Sequence, residues 1–277
     1  MRTPYGPLHR GDLHAIRKSI LGLDTTVGTV PIYDAVRRAG SAPDITADIL
    51  FNTIRDHCRD GGVDFLTLHC GVNHETFASL RRDPPRVMGV VSRGGAFHLA
   101  MMDATGEENP LYAEYDYLME ILREEDVCIS LGDGMRPGAV VDAGRQAKTV
   151  EYLTLGTLAA RAQEQGVQRM IEGPGHMPVD QITYNVKMIK ELTDQAPLYL
   201  LGGPLVTDIV PGYDHVSAAI GGSIAAMAGA DFLCMVSPPS EHLALPDLAD
   251  IEEGTRGGKS CRTYRGGYHP STGHVVQ

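Results

Sequence analysis

Seven places in the sequence set an ionisable or hydroxyl-bearing side chain directly after a short apolar run, mostly beside glycine. Side chains of these types can bind an anion, transfer a proton or hold a metal, and glycine lets the backbone approach a ligand closely. One such place is common in any protein, whereas seven in one chain indicate a shared catalytic or binding face. The seven places are Tyr33, His69–Gly71, Ser92–Gly95, Asp133–Arg136, Glu172–His176, Tyr199 and Glu241-His242.

Two arginines are candidates for binding an anion. Arg93 stands in the run Ser92–Gly95, which adds a hydroxyl and backbone amides that can approach a negative group. Arg136 follows Asp133-Gly134 and offers a second guanidinium for a bidentate contact. Together the two arginines predict a site for a phosphate ester. Structural salt bridges of each arginine are the alternative, and the sequence leaves both readings open.

Two histidines from different runs, His176 and His242, are candidates for a metal site. Each lies near a carboxylate, Glu172 and Glu241 respectively. Two imidazoles with an oxygen ligand can hold zinc or iron and leave positions for substrate or water. Spacing alone does not decide between a metal and two hydrogen-bonded histidines. A further histidine, His57, is predicted to lie on the surface.

Short apolar runs alternate with amphipathic helical patterns along the chain. Most runs are apolar throughout, which is typical of parallel strands buried on both faces. Repeated strand–helix units predict a single (β/α)8-type barrel, in which the seven polar places meet at the C-terminal ends of the strands. A doubly wound sheet is the alternative. The predicted strands are Val27–Tyr33, Asp64–Gly71, Val87–Arg93, Val127–Asp133, Gln168–Gly173, Leu198–Gly202 and Phe232–Ser237.

The composition argues against several classes of protein. The chain has 277 residues and a formal net charge of −11, without the basic stripe that nucleic-acid binding requires. No apolar run is long enough to span a bilayer, and Met1–Arg10 does not resemble a secretory signal. The five cysteines are scattered, which favours a reducing cytoplasm over a disulfide framework. The sequence contains no P-loop, serine-nucleophile or paired-cysteine zinc motif.

Taken as a set, the polar motifs resemble those of the phosphomethylpyrimidine synthase family of radical S-adenosylmethionine enzymes, which make the pyrimidine of thiamine. The resemblance covers Asp12 to Thr255, includes the order and intervals of the motifs, and extends to the family's 5-hydroxybenzimidazole synthase relatives. The motifs are VGTVPIY (27–33), HCGV (69–72), VVSRGG (90–95), SLGDGMRPG (130–138), IEGPGHMP (171–178), PGYDH (211–215) and EHLALP (241–246).

The resemblance implies a cytoplasmic lyase with a (β/α) barrel that rearranges 5-aminoimidazole ribotide into hydroxymethylpyrimidine phosphate. It also implies S-adenosylmethionine and a [4Fe–4S] cluster as cofactors, zinc or iron bound by His176 and His242, and a homodimer. The benzimidazole branch, which uses the same substrate, is the alternative. The residues implied to contact the ribotide are Tyr33, His69, Ser92, Arg93, Gly94, Asp133, Gly134, Met135, Arg136, Glu172 and Tyr199.

Both ends of the sequence depart from the family pattern. The family binds its cluster through a C-x-x-C-x-x-x-x-C motif, which this sequence lacks. Met1–Gly11 does not reproduce the family's first barrel segment, and residues 256–277 are expected to form a disordered tail after a core of residues 12–255. Truncation at both ends, or a frame shift in the coding sequence at each end, would explain these departures, and we expect a barrel incomplete at its N-terminal end. A non-catalytic remnant that binds ribotide or metal, and a metal-dependent lyase or hydrolase, are open alternatives.

Overall fold

Six short parallel strands form one sheet in which each strand lies beside its neighbour in the sequence. The computed structural model that shows this sheet describes residues 26–59, 63–200, 210–239 and 245–260. The strands are β1 (Gly28–Thr29), β2 (Phe65–Leu68), β3 (Cys128–Leu131), β4 (Arg169–Glu172), β5 (Leu198–Leu200) and β6 (Phe232–Leu233).

The strand order follows the chain without reversal across the described strands. A doubly wound sheet contains a point at which the order reverses, so the doubly wound alternative does not describe this sheet. Right-handed crossovers that all run in one direction place the helices on one face and curl the sheet as in a barrel. The observed architecture is therefore an α/β fold built on a singly wound parallel sheet.

Helices occupy most of the connections between the strands, and short 3-10 turns at Val140–Asp142 and Val179–Gln181 precede two of them. No helix in the described ranges is long and apolar enough to cross a membrane. The last helix continues past residue 255, where the core is predicted to end. The helices are α1 (Ile32–Ala39), α2 (Ala47–Arg59), α3 (His74–Arg82), α4 (Arg93–Thr105), α5 (Pro110–Ala113), α6 (Tyr115–Glu124), α7 (Gln146–Glu164), α8 (Ile182–Leu192), α9 (Asp214–Ala228) and α10 (Leu248–Ser260).

The two faces of the sheet differ in chemistry because side chains alternate along each strand. One face is a fully buried row of aliphatic side chains that belongs to the hydrophobic core: Leu66, Leu68, Ile129, Leu131, Ile171, Leu198 and Leu200. The other face carries aromatic, hydroxyl and carboxyl groups at the registered positions Phe65, Thr67, Ser130, Glu172 and Tyr199. Any ligand site on this sheet must therefore lie on the second face.

The segment Val87–Arg93, predicted as a strand, is a loop followed by the start of α4, so that prediction is wrong. Val87 is 71% exposed, and Gly89 adopts a left-handed conformation with φ of +62°. The Asp142 carboxylate accepts hydrogen bonds from the backbone N–H groups of Val87 and Met88, both at 3.2 Å. A side chain from a distant turn thus supplies partners that a neighbouring strand would otherwise provide.

His57 is buried rather than exposed, which corrects the surface prediction. Its side chain in α2 is 4% exposed, and its Nδ1 lies 2.9 Å from the Thr29 hydroxyl of β1. Its Nε2 lies 3.8 Å from a carboxylate oxygen of Asp34 in α1. The imidazole therefore links three elements of the fold at the first strand.

The buried His98 of α4 makes folding stability depend on pH. His98 is 1% exposed, and neither of its ring nitrogens has a hydrogen-bond partner in the described part of the chain. Burial lowers its pKa to about 4. As pH falls, His98 binds a proton at a higher pH in the unfolded chain than in the folded chain. Protonation of the unfolded chain therefore lowers the free energy of unfolding as pH falls from about 6.5 towards 4.

We predict that the variant His98→Leu loses this pH dependence. Between about pH 7 and pH 5, the native chain should lose about 2 kcal/mol more of its unfolding free energy than His98→Leu loses. Urea titrations of both proteins at the two pH values measure the difference. Parallel losses in the two proteins would show that His98 does not titrate in this window.

Candidate functional site

A pocket of about 240 Å³ opens on the polar face of the sheet. It lies where the C-terminal ends of the strands meet the loops that follow them, the position at which parallel α/β folds bind ligands. Eight of the residues predicted to contact substrate line it: Tyr33, His69, Ser92, Arg93, Gly94, Arg136, Glu172 and Tyr199. Five further residues complete the lining: Gly28, Thr29, Val30, Phe65 and Thr67.

The N-terminus of α4 forms one wall of the pocket. Ser92 is the N-cap of this helix, and its hydroxyl accepts a hydrogen bond from the Gly95 N–H at 3.2 Å. Arg93 and Gly94 occupy the first turn, where backbone N–H groups and the helix dipole favour a negative group. Arg93 is exposed and has no ion pair within the described residues, so its guanidinium is available to a ligand.

Arg136 approaches the same wall from the turn that follows β3. Its Nη1 lies 3.2 Å from the Asp133 carboxylate, and its backbone N–H donates to the Asp133 carbonyl at 3.3 Å. A Cβ atom on Gly95 would lie only 2.6 Å from the Gly134 Cα, so this turn and α4 meet backbone to backbone. We call Ser92, Arg93, Gly94 and Arg136 the anion grip.

His69 is buried next to Ser92 and Gly94 of the anion grip, and its ring is closely surrounded. Its Nε2 is 3.0 Å from the Ser92 hydroxyl, and a Cβ atom on Gly94 would overlap its ring. A Cβ atom on Gly132 would lie 2.9 Å from the ring. Burial, and next the nearby His98 and Arg136, hold the pKa of His69 well below its ordinary value. His69 is therefore a neutral imidazole of fixed orientation.

Glu172 supplies a carboxylate to the pocket from the end of β4. One of its oxygens, Oε1, accepts hydrogen bonds from the hydroxyls of Thr67 at 2.8 Å and Ser130 at 2.9 Å. Burial raises the pKa of Glu172 against the opposing effects of these hydroxyls and of Arg136. Two neighbouring strands thus fix the direction of this carboxyl group.

Three of the residues predicted to contact substrate do not line the pocket and lie behind it. Asp133 is buried against Arg136, and burial raises its pKa to about 7 although the guanidinium opposes the shift. Gly134 packs against Gly95, and the Met135 side chain is fully buried in the core. Of the four residues in this turn, Arg136 is the one that lines the pocket.

Phe65 and Thr67 are pocket residues that the sequence reasoning missed. Most predicted contacts were residues at the ends of strands, whereas these two lie within β2 and face the ligand side. The two-residue spacing of Phe65, Thr67 and His69 was the available signal, because alternate residues share a face of the sheet. At the far side, the Tyr199 ring contacts Phe232 with centroids 4.6 Å apart.

The structure describes only one of the two histidines predicted to bind a metal. His176 is buried after β4, and its backbone N–H donates to the Pro137 carbonyl at 3.0 Å. His242 lies outside the described residues, so the pair stays a prediction. Within the described ranges, no group of three or more histidine, cysteine, aspartate or glutamate side chains is arranged to hold a metal ion.

The described cysteines do not suit an iron–sulfur cluster. Cys58, Cys70, Cys128 and Cys234 stand on or beside different elements, and a cluster needs several thiolates close together. Burial raises the thiol pKa of Cys58 to about 12 and that of Cys128 to about 11, and it raises the pKa of Cys70 as well. Such thiols are protonated and behave as small core side chains.

Three curated relatives are similar to the chain over 88% of its length. A phosphomethylpyrimidine synthase of Methanosarcina mazei is 54% identical over 245 residues, and that of Archaeoglobus fulgidus is also 54% identical over 245 residues. The corresponding protein of Thermococcus gammatolerans is 50% identical over 249 residues. The chain spans 56%, 57% and 58%, respectively, of the lengths of these relatives.

Among solved structures, a carboxyl transferase domain of Rhizobium etli pyruvate carboxylase has a TM-score of 0.42 and 13% identity, over 91% of this chain and 33% of that one. The sequence comparison with protein families is more specific. The model of the radical SAM ThiC family matches residues 8–261, nearly the whole chain. The motifs quoted from the sequence all lie inside this match. The chain belongs to the radical SAM ThiC family.

Proposed function

We propose that the chain binds 5-aminoimidazole ribotide in this pocket as part of phosphomethylpyrimidine synthesis, a step of thiamine biosynthesis. The observation that carries the proposal is the anion grip, in which a helix N-terminus and two arginines border one pocket. The names of the relatives support the same assignment, because all three are phosphomethylpyrimidine synthases. They favour the pyrimidine product over the benzimidazole alternative.

The phosphate of the ribotide is assigned to the anion grip. Ser92, the N–H groups of the first turn of α4 and the Arg93 guanidinium supply donors from one side. Arg136 supplies a buried guanidinium from the other side. Charge-assisted hydrogen bonds of this kind are about twice as strong as neutral ones, so the phosphate contributes much of the binding energy.

The aminoimidazole and ribose are assigned to the remainder of the pocket. Glu172 presents a carboxyl group of fixed direction to the N–H or O–H donors of the ligand. His69 is neutral and can exchange hydrogen bonds without adding charge. Tyr33 is 45% exposed and packs edge-on against Phe97, which places it at the rim of the pocket. Tyr199 lines the far side.

The family implies S-adenosylmethionine and a four-iron cluster, and the described cysteines do not fit a cluster. The role proposed for this part of the chain is therefore to bind and orient the ribotide. We further propose that the singly wound sheet belongs to a (β/α)8-type barrel, and that His176 and His242 bind zinc or iron. A cytoplasmic homodimer stays a prediction of the family resemblance.

The anion grip is tested by removing each guanidinium separately. Arg93→Ala and Arg136→Ala are each expected to weaken ribotide binding by about 1.5–3 kcal/mol, because each removes charged hydrogen bonds to the phosphate. Isothermal titration calorimetry measures the dissociation constants. Arg81→Ala is the matched control, since Arg81 is an exposed arginine that pairs with Asp103 away from the pocket. Native-like affinity in both grip variants would reject the assignment.

The orientation of Glu172 is tested at Thr67. Thr67→Val keeps the shape of the side chain and removes one hydroxyl donor to Oε1, which should weaken ribotide binding by about 1 kcal/mol. Thr67→Ser keeps the hydroxyl and should bind nearly as the native chain does. Calorimetry under identical conditions compares the three proteins. Equal affinities of the valine and serine variants would show that this hydrogen bond does not serve the ligand.

A further inference from the structure

Glu151 is a fully buried acid that takes no part in lining the pocket. It lies in α7 and is 0% exposed. Burying a carboxyl group is costly unless it is hydrogen-bonded or paired with a cation. Among the described residues Glu151 makes no ion pair, although Arg86 lies near enough to act on its pKa.

The partner of Glu151 is a backbone group of the turn that carries Arg136. Its Oε2 accepts the Met135 N–H at 2.8 Å. Met135 is fully buried, so water cannot replace this partner of its N–H group. The carboxyl group therefore supplies the acceptor for a buried backbone donor of the turn.

Two glycines leave the space that Glu151 fills. A Cβ atom on Gly71 would lie 2.9 Å from the Glu151 Cγ, and one on Gly134 would lie 3.1 Å from Oε1. The loop after β2 and the turn after β3 both approach this side chain closely. A displaced Glu151 would thus move the same turn that packs against Gly95 of α4.

We propose that Glu151 is a positioning residue that fixes the Asp133–Arg136 turn and thereby directs the Arg136 guanidinium at the ligand's phosphate. This inference rests on the proposed function, because it concerns the same phosphate. Glu151 itself does not touch the ligand. Its effect should reach only those ligands that carry the phosphate group.

The two oxygens of Glu151 differ in what they contact. Oε2 accepts from the turn, whereas Oε1 has no hydrogen-bond partner in the described ranges. Burial, and next the neighbouring Asp133, raise the pKa of Glu151 well above its ordinary value. Glutamine keeps an oxygen that can accept the Met135 N–H, whereas methionine has no such acceptor.

The experiment compares Glu151→Met and Glu151→Gln by calorimetry with 5-aminoimidazole ribotide and with its dephosphorylated riboside. Glu151→Met should raise the dissociation constant of the ribotide about tenfold or more and that of the riboside by no more than about twofold. Glu151→Gln should stay within about twofold of the native chain for both ligands. Tyr152→Phe, the adjacent buried residue of the same helix, is the control and should bind as the native chain does.

Three results would overturn the positioning role: native-like ribotide binding by Glu151→Met, equal weakening of both ligands in that variant, or a glutamine variant as weak as the methionine variant. Equal weakening in particular would indicate a general structural defect.

Hydrogen exchange of the Met135 amide separates this inference from the proposed function. If the native chain binds neither ligand, the proposed function fails, and exchange still reports whether Glu151 holds the turn. Faster exchange of the Met135 amide in Glu151→Met, with a native exchange rate in Glu151→Gln, supports the claim that Glu151 fixes the turn. Equal exchange in all three proteins overturns it.

Discussion

The backbone contact between Gly95 and Gly134 determines how close the two arms of the anion grip can come. A Cβ atom at residue 95 would lie 2.6 Å from the Gly134 Cα and carbonyl oxygen, so any side chain there would push the arms apart. Glycine at both positions lets the first turn of α4 and the turn after β3 share one wall. The rest of the site depends on this contact, because one phosphate must reach both arginines.

Electrostatics around Arg136 complement that geometry. Arg136 acts on the carboxyl groups of Asp133 and Glu172, whereas Arg86 acts on Glu151, and burial raises the pKa of all three carboxyl groups. Carboxyl groups that are readily protonated repel an entering phosphate less than ionised ones would. Asp133 lies 3.2 Å from Nη1 of Arg136 and thereby orients the guanidinium, which lines the pocket.

Much of the site could be predicted because residues after parallel strands meet at one edge of the sheet. This rule placed His69, Arg136 and Glu172 together from sequence alone, whereas Ser92 and Arg93 were expected to follow a strand that the structure replaces with a loop. It could not identify Thr67, which lies inside a strand and is recognised only once its face is known. Long-range hydrogen bonds could not be predicted from local sequence patterns either. The Asp142 carboxylate accepts hydrogen bonds from the backbone of residues 87–88, which form a loop, and the residues around 87 give no sign of this contact. The burial of His57 likewise follows from partners in other elements.

The central claim is that this pocket receives the phosphate of 5-aminoimidazole ribotide, and phosphorus NMR tests it most directly. Titrating the chain into the ribotide should broaden and shift the phosphorus resonance, and an excess of ribose 5-phosphate should restore the free signal. The same titration with Arg136→Ala should leave the resonance nearly unchanged. A resonance unaffected by the native chain, or one affected equally by both proteins, would contradict the account.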